Sequence, residues 1–542
     1  MTGTRFQAAG RLFAVALLFA SIQLSSEEQP KADTPAAAQW FAHIQYLASD
    51  DLKGRLIGTT EYLQAVDYVE RQYKAIGLKP GGTDGYRQPV PFDQIEVDTA
   101  ASSLSIEQDG QAKTFAIGSE AILNAHANGN STVNAGAVFA GYGLSIPSRH
   151  IDDVSGLDLK GKVAVVLGGS PSSLRGPLKA YFRTPIERWR ALKAAGAIGV
   201  IIIPEPPNRA PNAGPQQPRA GFARPTYLIA DATLDPLRGA QLNASIPIAA
   251  ASVLFKGSGH TLEELEALSA EGKPLPHFPI PGVIHASVVV KQLNHFDAPN
   301  VLGVLEGSDK KLRKQYVVVS AHLDHLGVGR PVDGDSIYNG AMDNASGVAS
   351  LLEIAKAIAA GPRLRRSILF LAVTGEEEGL LGSKYFVAHP TVARDQIVAD
   401  INMDMVLPLF PLRYLEVQGL GESTLGNDIR AIAQLNDIEV QFDKQPDENR
   451  FIRSDQASFI AHGIPAVAFK FGWIPDSPEQ KTFNDFVKNR YHHPSDDVAQ
   501  PVDKEAAVSF DKVIQDLTVR VSDASTKPAW YPESFFAHVE QP

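Results

Sequence analysis

Cysteine is absent from all 542 residues of this chain. The absence excludes disulfide bonds, thiolate metal ligands and a lipid-anchored amino-terminal cysteine. Clusters of basic residues are lacking too: the 50 Lys and Arg residues are spread along a chain of net charge −11. This distribution excludes the basic surface that nucleic-acid-binding proteins present. Any metal ion must therefore be held by nitrogen and oxygen donors, and no nucleic-acid partner is expected.

The amino-terminal region lacks an apolar run long enough to span a membrane. Arg5 and Arg11 precede an apolar segment, residues 12–24, which is shorter than the roughly 20 residues that a membrane-spanning helix needs. A charged segment followed by a short apolar one is typical of a signal peptide. We therefore predict a signal peptide over residues 1–26, export to the periplasm or the extracellular space, and no stable anchor after cleavage. A membrane anchor is the alternative.

Helical and strand patterns divide the first half of the chain. Apolar residues recur at helical spacing over 40–47 and 60–76, and Gly77 is placed to end the second helix. Residues 86–130 alternate as strands and turns do. At 542 residues with 44% hydrophobic content, the chain is long enough for two to three domains.

Between residues 133 and 284 short apolar strands are separated by glycine and proline. The predicted strands are 137–141, 163–168 and 199–203, and the predicted helix is 185–195, ended by Gly196. Residues 206–224 are rich in Pro, Gly, Asn and Gln, which predicts a long surface loop. This pattern predicts a separate α/β unit inserted into the chain.

After residue 284 the pattern becomes alternating strand and helix. "YVVVSAH", "SILFLAVTG" and "IVADINMDM" are continuous apolar runs, typical of strands buried on both faces. A helix is predicted over 345–360. His322, Glu377 and Asp404 follow the three runs, and in an open α/β sheet ligands bind at the carboxyl ends of the strands. One shared site is therefore expected at this edge.

Two further candidates lie near the first run. Asp343 precedes the predicted helix, where a lone aspartate is ordinarily an N-cap. In "SAHLDHLG", His322 and Asp324 are two residues apart on an extended segment, so their side chains should leave the same face, and the carboxylate can orient the imidazole. A surface ion pair between them is the alternative.

Acidic and histidine residues of two later motifs complete the set. "TGEEEGLLGS" places Glu376, Glu377 and Glu378 in a row after an apolar strand, which favours a bound cation over the alternative, a helix amino-terminus. "YHHPSDD" supplies His492, with Asp496 as its orienting carboxylate. For the adjacent His325, His493 and Glu378 a packing or solvent role is favoured over metal ligation.

Six motifs together resemble a known enzyme family. "HLD", "AMDNASGVASLLEIA", "TGEEEGLLGS", "NMDM", "SDQASFIAHGIPAVAF" and "YHHPSDD" are similar in content and order to those of the co-catalytic zinc aminopeptidases of metallopeptidase family twenty-eight, which includes glutamate carboxypeptidase II and the transferrin receptor. "GLDLKGKVAVVLGG" and "RWRALKAAGAIGVIII" resemble a protease-associated domain. The resemblance implies a three-layer α/β sandwich with a mixed, mostly parallel central sheet and an inserted protease-associated domain.

The sequence patterns and the resemblance together predict domain boundaries. They are a signal peptide at 1–26, a disordered leader at 27–36, the amino-terminal part of the peptidase domain at 37–132, the protease-associated insert at 133–284, the catalytic domain at 285–525 and a carboxy-terminal tail at 526–542.

By the same resemblance, two Zn²⁺ ions are the cofactors, with Co²⁺ or Mn²⁺ as possible substitutes. Asp343 would bridge both ions, His322 and Asp404 would complete one site, and Glu377 and His492 the other. Two such ions can share a water and lower its pKa toward about 7. Glu376 would then be the general base, taking a proton from that water and passing it to the leaving amine.

The function expected from the resemblance is exopeptidase activity on peptide substrates, as an aminopeptidase. A carboxypeptidase of the glutamate carboxypeptidase type is the alternative, since it uses the same ligands. A glutaminyl cyclase and a non-enzymatic binding protein like the transferrin receptor are less favoured, because no ligand is missing. Asp455 is expected either to contact substrate or only to cap the helix 456–461. The oligomeric state is left open.

Overall fold

The computed structural model describes residues 1–3, 32–125, 129–174, 176–205 and 225–538. The predicted surface loop 206–224 lies outside these residues, as does the predicted signal peptide beyond its first three residues. Within the described ranges, no helix combines the length and apolarity needed to cross a membrane.

Local sequence signals set the ends of the first two helices. Thr34 caps the first by accepting from Ala37 N, and Pro35 occupies its first turn, a position that suits proline. This helix begins inside the predicted disordered leader 27–36, so the predicted leader extends too far. Gly77, at φ +88°, ends the second helix as predicted. The helices of the described residues are α1 Pro35–Leu47, α2 Thr60–Ile76, α3 Gly176–Arg183, α4 Pro185–Ala194, α5 Ile248–Ala251, α6 Leu262–Ala270, α7 Ser346–Ala359, α8 Leu381–Ala388, α9 Leu425–Leu435, α10 Gln456–Ile460, α11 Pro478–Asn489 and α12 Lys504–Asp523.

Most strands belong to two large sheets, and the runs of buried β-branched and aromatic residues form their centres. The strands predicted around 137–141, 163–168 and 199–203 are confirmed. The strands of the described residues are β1 Lys79–Pro80, β2 Arg87–Gln88, β3 Pro91–Val97, β4 Ser103–Gln108, β5 Gln111–Thr114, β6 Ile122–Leu123, β7 Ser131–Ala140, β8 Ser145–Ile146, β9 Ile151–Asp152, β10 Val163–Leu167, β11 Gly199–Ile203, β12 Thr226–Ile229, β13 Leu242–Ser245, β14 His277–Val288, β15 Val290–Asp297, β16 Asn300–Leu305, β17 Tyr316–His322, β18 Gly327–Val332, β19 Asp335–Tyr338, β20 Ser367–Val373, β21 Ile397–Asn402, β22 Tyr414–Gln418, β23 Glu439–Phe442 and β24 Ala466–Phe471.

The larger sheet is mixed and has the order β1-β16-β20-β17-β21-β24-β22-β23, with β2 also paired to β16. Its centre, β20-β17-β21-β24, is parallel, while β16 and β22 join it antiparallel. Val317 and Val319 of β17 pack with α1, α2, α7 and α12 on one face, and Val318 packs with α8 and α10 on the other. The predicted three-layer α/β sandwich is therefore confirmed.

The second sheet has the order β5-β4-β14-β7-β10-β11-β13-β6 and forms most of the inserted unit. It includes β4 and β5, which precede the predicted boundary at residue 133. β4 joins because it pairs antiparallel with β14, far along the chain. The unit therefore begins earlier than predicted, near residue 103. The small sheet β12-β3-β15 contributes Phe92 and Tyr227 to the core of the larger sheet, while Val97 and Val290 pack against the core of the second sheet.

The carboxy-terminal segment, predicted as a tail over 526–542, packs against the catalytic unit as far as it is described. Trp530 forms an isolated antiparallel β-bridge with Ser423. Its indole Nε1 donates a hydrogen bond to Gly463 O at 2.8 Å. Phe536 is buried and its ring lies 5.3 Å from that of Phe451. These contacts make the segment part of the domain.

A buried acid in the helical layer predicts a pH-dependent stability. Asp511 of α12 is buried, and burial raises its pKa to about 8, whereas an unfolded aspartate has a pKa near 3.9. The unfolded state loses this proton first as pH rises, so Asp511 lowers the free energy of unfolding progressively between pH 4 and 8. We expect Asp511→Asn to stabilise the protein by several kcal/mol at pH 8–9, at about 1.4 kcal/mol per pKa unit, and to have little effect near pH 4. Denaturant unfolding of both proteins across this range checks it; an equal difference at both ends would contradict it.

Candidate metal centre

The carboxyl ends of three adjacent parallel strands carry the candidate ligands. His322 is the last residue of β17, Asp404 lies two residues after β21, and Glu377 follows β20. Asp343 lies in the kinked turn Ala341–Ala345, directly before α7, and its own backbone is not helical, with φ −111° and ψ 88°. His492 follows α11 and has a left-handed backbone, φ +57°, of the kind often held at functional sites.

The structure brings the five side chains together around the carboxylate of Asp343. Its Oδ1 lies 3.2 Å from Nε2 of His322, which is also 3.4 Å from Oδ1 of Asp404. Its Oδ2 lies 3.2 Å from Nε2 of His492, which is also 3.3 Å from Oε2 of Glu377. The two oxygens of one carboxylate thus face two separate donor groups.

These separations fit zinc. A tetrahedral zinc ion about 2.0–2.2 Å from its nitrogen and oxygen ligands holds neighbouring donor atoms roughly 3.3–3.6 Å apart. The four nitrogen–oxygen distances, 3.2–3.4 Å, lie within this range or about 0.1 Å below it. His322 Nε2 and Asp404 Oδ1 are buried without a hydrogen-bond partner in the described part of the chain, as expected of atoms that bind an ion. The residues present therefore fit a pair of metal ions.

The site is strongly electronegative. Burial alone would lower the pKa of His322, yet the charges of Glu376, Asp343 and Asp404 raise it well above its ordinary value. Burial would lower the pKa of His492 as well, but the charges of Glu377 and Asp343 outweigh it and raise that pKa well above the ordinary value. An arrangement that favours a positive charge on both imidazoles favours a bound cation for the same reason.

Glu376 and Asp455 lie within electrostatic reach of the same centre. Burial raises the pKa of Glu376 well above its ordinary value, and the charges of Asp404, Glu377 and Asp455 raise it further, against the opposing effect of His322. Burial also raises the pKa of Asp455, to about 7. Asp455 is fully buried and its side chain makes no capping hydrogen bond to α10. The alternative that it only caps this helix is therefore wrong.

The carboxylates of Asp324 and Asp496 accept hydrogen bonds from main-chain nitrogens and not from an imidazole ring. The prediction that they orient His322 and His492 is therefore corrected. The carboxylate of Asp324 accepts from Glu376 N at 3.1 Å and Glu377 N at 3.3 Å, while Nδ1 of His322 meets the main-chain oxygen of Asp324 at 3.2 Å. Asp496 accepts from the main-chain nitrogens of Met342 at 2.9 Å and Asp343 at 3.0 Å. Each buried aspartate therefore fixes a loop that carries ligands.

Two buried basic residues lie beside the centre, and the sequence motifs did not single them out. Arg55 is fully buried and donates to the main-chain oxygens of Leu47, Leu323, Asn339 and Gly340. Lys470 of β24 donates to Asp404 O at 2.6 Å and Met405 O at 2.9 Å. Both hold segments that carry candidate ligands.

Tyr491 is a further residue of the centre that the sequence motifs did not single out. Its ring lies 3.9 Å from that of His492. Burial raises its pKa well above the ordinary value, and the charges of Asp343, Glu377 and Glu376 raise it further. A tyrosine with these neighbours lies at the metal centre and keeps its proton, so it can donate a hydrogen bond there. The signal was its position directly before His492.

Comparisons with known proteins agree with this geometry. Residues 300–518 match the model of Peptidase family M28. A probable zinc metalloprotease of Pyrenophora teres f. teres is 38% identical over 106 residues, 20% of this chain and 22% of that protein. A probable leucine aminopeptidase 2 of Aspergillus oryzae is 29% identical over 180 residues, 31% of this chain and 32% of that protein. The matches thus span less than a third of each relative.

One solved structure supports the fold over nearly the whole chain. It is an aminopeptidase from Aneurinibacillus sp. strain AM-1, which aligns with a TM-score of 0.50 at 21% identity and covers 92% of this chain and 97% of that chain. At this identity the likeness concerns the fold alone, and it agrees with the three-layer sandwich.

Proposed function

We propose that the protein is a di-zinc exopeptidase which removes amino-terminal residues from peptides, because residues 300–518 match the model of Peptidase family M28 and contain all five candidate ligands. One ion would be held by Asp343, His322 and Asp404, and the other by Asp343, Glu377 and His492. The fungal relatives described as a zinc metalloprotease and a leucine aminopeptidase support this choice of metal and reaction.

One observation carries the proposal: the two oxygens of Asp343 each face a different histidine at 3.2 Å. A carboxylate that only capped α7 would direct its oxygens to main-chain nitrogens of that helix. The carboxylate of Asp343 instead lies between two ligand groups that have the donor separations of a metal site.

Charge distribution favours the amino end of the substrate. A carboxypeptidase must present a positive group to the free carboxylate of its substrate. Arg55 and Lys470 are both buried and donate to main-chain oxygens. A third cation, Lys384, lies within electrostatic reach of Glu376 and Asp455 but donates to the main-chain oxygen of Gly379 at 2.7 Å. None of the three is therefore free to bind a substrate carboxylate. Glu376 and Asp455 surround the centre with carboxyl groups, which suit a substrate α-ammonium group. Asp455 is therefore proposed to contact substrate.

The chemistry follows from the positions of these groups. When bound, the two ions act as Lewis acids that polarise the scissile carbonyl and favour the ionised form of the attacking water. Glu376, whose pKa lies above the ordinary range, accepts a proton from the attacking water and gives it to the leaving amine. The hydroxyl group of Tyr491 keeps its proton and donates a hydrogen bond to the developing oxyanion.

A substrate screen tests the direction of trimming. Aminoacyl-nitroanilides and peptides with a free amino terminus are expected to be cleaved, whereas peptides acylated at that terminus are not. Zinc content measured on the same preparation should reach two equivalents. Cleavage restricted to acylated peptides with free carboxyl termini would overturn the aminopeptidase proposal and leave the metal centre standing.

We expect Tyr491→Phe to lower kcat by about 10²-fold with a smaller change in KM, because the hydroxyl acts on charge that develops in the transition state. Tyr385→Phe is a matched control, since Tyr385 also lies against a histidine ring, that of His389 at 4.8 Å. Steady-state kinetics on an aminoacyl-nitroanilide checks it. Equal kcat values for the two variants would remove Tyr491 from the mechanism.

We also propose that the protein is exported and that its inserted unit is a protease-associated domain. Export is supported by Arg5, Arg11 and the apolar segment 12–24. The insert is supported by the parallel pairing of β10 with β7 and β11. Cell fractionation with amino-terminal sequencing tests export: a chain that is found in the cytoplasm and still begins at Met1 would contradict it.

A further inference from the structure

His325 contacts a candidate ligand, Glu377, through the carboxylate oxygen that does not face His492. It is fully buried, and its Nδ1 lies 2.6 Å from Oε1 of Glu377. Oε2, the second oxygen of the same carboxylate, lies 3.3 Å from Nε2 of His492. The two oxygens of Glu377 are therefore engaged by different histidines.

The hydrogen bond has a defined direction. An ionised carboxylate only accepts hydrogen bonds, so Nδ1 of His325 carries the proton and donates it to Oε1. This occupies one oxygen of Glu377 and leaves Oε2 to face His492. A short hydrogen bond to an ionised acceptor is among the stronger kinds, and both partners are buried, which preserves its strength.

Packing holds the imidazole in this orientation. A side chain at Gly340, at φ +61°, would meet Cγ and Cδ2 of His325 at 2.5 Å, so the ring lies directly over the main chain that precedes Asp343. Its centroid is 5.9 Å from the ring of His492. Donor atoms of His325, Asp343 and Glu377 lie within 4.8 Å of one another. The ring is thus confined between two metal-binding segments.

We propose that His325 is a positioning residue that holds Glu377 as a one-oxygen ligand of the second metal ion. The inference rests on the proposed di-zinc centre. Partners that orient a metal ligand are worth about 10–100-fold in metal affinity, and His325 supplies this for Glu377 alone. The sequence pattern favoured packing or solvent exposure for His325; the geometry gives it a specific task.

Zinc binding by the full chain, measured without substrate, tests the inference. The metal-free protein is titrated with Zn²⁺ against a competing chelator, so that the affinity of each equivalent is resolved. We expect His325→Leu to weaken one of the two equivalents about 10–100-fold and to leave the other unchanged. His325→Asn, whose Nδ2 can take the place of the ring Nδ1, should recover most of the loss. His493→Leu is the control, since His493 adjoins His492 but its Nδ1 meets Asn489 O at 3.0 Å.

The outcomes of this titration distinguish the role of His325 from the existence of the di-zinc centre. Wild-type protein that binds fewer than two equivalents would contradict the di-zinc centre itself. Two normal equivalents in His325→Leu would overturn only the role of His325. Failure of His325→Asn to recover affinity would overturn positioning in favour of direct ligation by the imidazole. If His325→Leu does not fold by circular dichroism, the same titration on His325→Gln decides.

Discussion

Glu376→Gln is expected to lower kcat by about 10²–10⁴-fold while two zinc ions stay bound. Glutamine keeps the shape of the side chain and cannot accept a proton from water. Glu376 faces the ligand cluster, since its carboxyl interacts electrostatically with His322, Asp404 and Glu377, but it is not among the donor atoms at 3.2–3.4 Å. The change therefore removes a base and leaves every ligand in place.

Zinc content and steady-state kinetics on one preparation check this result. Glu378→Gln is the matched control, because it makes the same chemical change two positions along the chain, and its kcat should stay near that of the wild type. A Glu376→Gln variant with near-normal kcat would remove Glu376 from the mechanism. Loss of zinc in that variant would instead make Glu376 a ligand.

The position of the candidate centre was predictable because three of its candidate ligands follow strands that the sequence identifies. A continuous apolar run such as that of β17 is typical of a parallel strand covered on both faces. Adjacent parallel strands end at one edge, so His322, Glu377 and Asp404 had to meet. Asp343 and His492 lack such a strand, and the motif resemblance was needed to place them.

The roles of the two buried aspartates were not predictable from spacing. Side chains two residues apart share a face only while the chain stays extended. β17 ends at His322, so Asp324 turns toward the loop of Glu376 and Glu377. Asp496 similarly accepts from the main chain of Asp343, 153 residues away. Such pairings depend on tertiary contacts that no local pattern encodes.

The buried position of Arg55 shows the same limit. Arginine is almost never fully buried unless paired, and its sequence neighbourhood, between α1 and α2, suggests an exposed turn. Its partners are four main-chain oxygens, and burial lowers its pKa only to about 10. It therefore stays charged at neutral pH and offsets part of the negative charge of Asp324, Asp343 and Asp496. Only the folded arrangement reveals this balance.

Asp343→Ala is expected to lose both zinc ions to dialysis and at least as much activity as Glu376→Gln. Each candidate site takes one oxygen from Asp343, so its removal leaves two remaining donors in either site. Asp404→Ala is the matched control: it removes a donor from the first site alone, and one equivalent of zinc should remain. Elemental analysis after dialysis measures both. Two full equivalents in Asp343→Ala would refute the bridging role.

Thermal unfolding separates loss of metal from loss of fold. The carboxylates of Asp343, Glu377 and Asp404 lie close together in the centre, and a ligand that binds only the folded state stabilises it. Chelation should therefore lower the Tm of the wild type. Asp343→Asn keeps the shape of the side chain, so we expect it to fold, to unfold cooperatively, and to show a smaller chelator-dependent shift in Tm. If chelation lowers the Tm of Asp343→Asn as much as that of the wild type, zinc is bound without Asp343. The ligands would then be His322, Asp404, Glu377 and His492 alone.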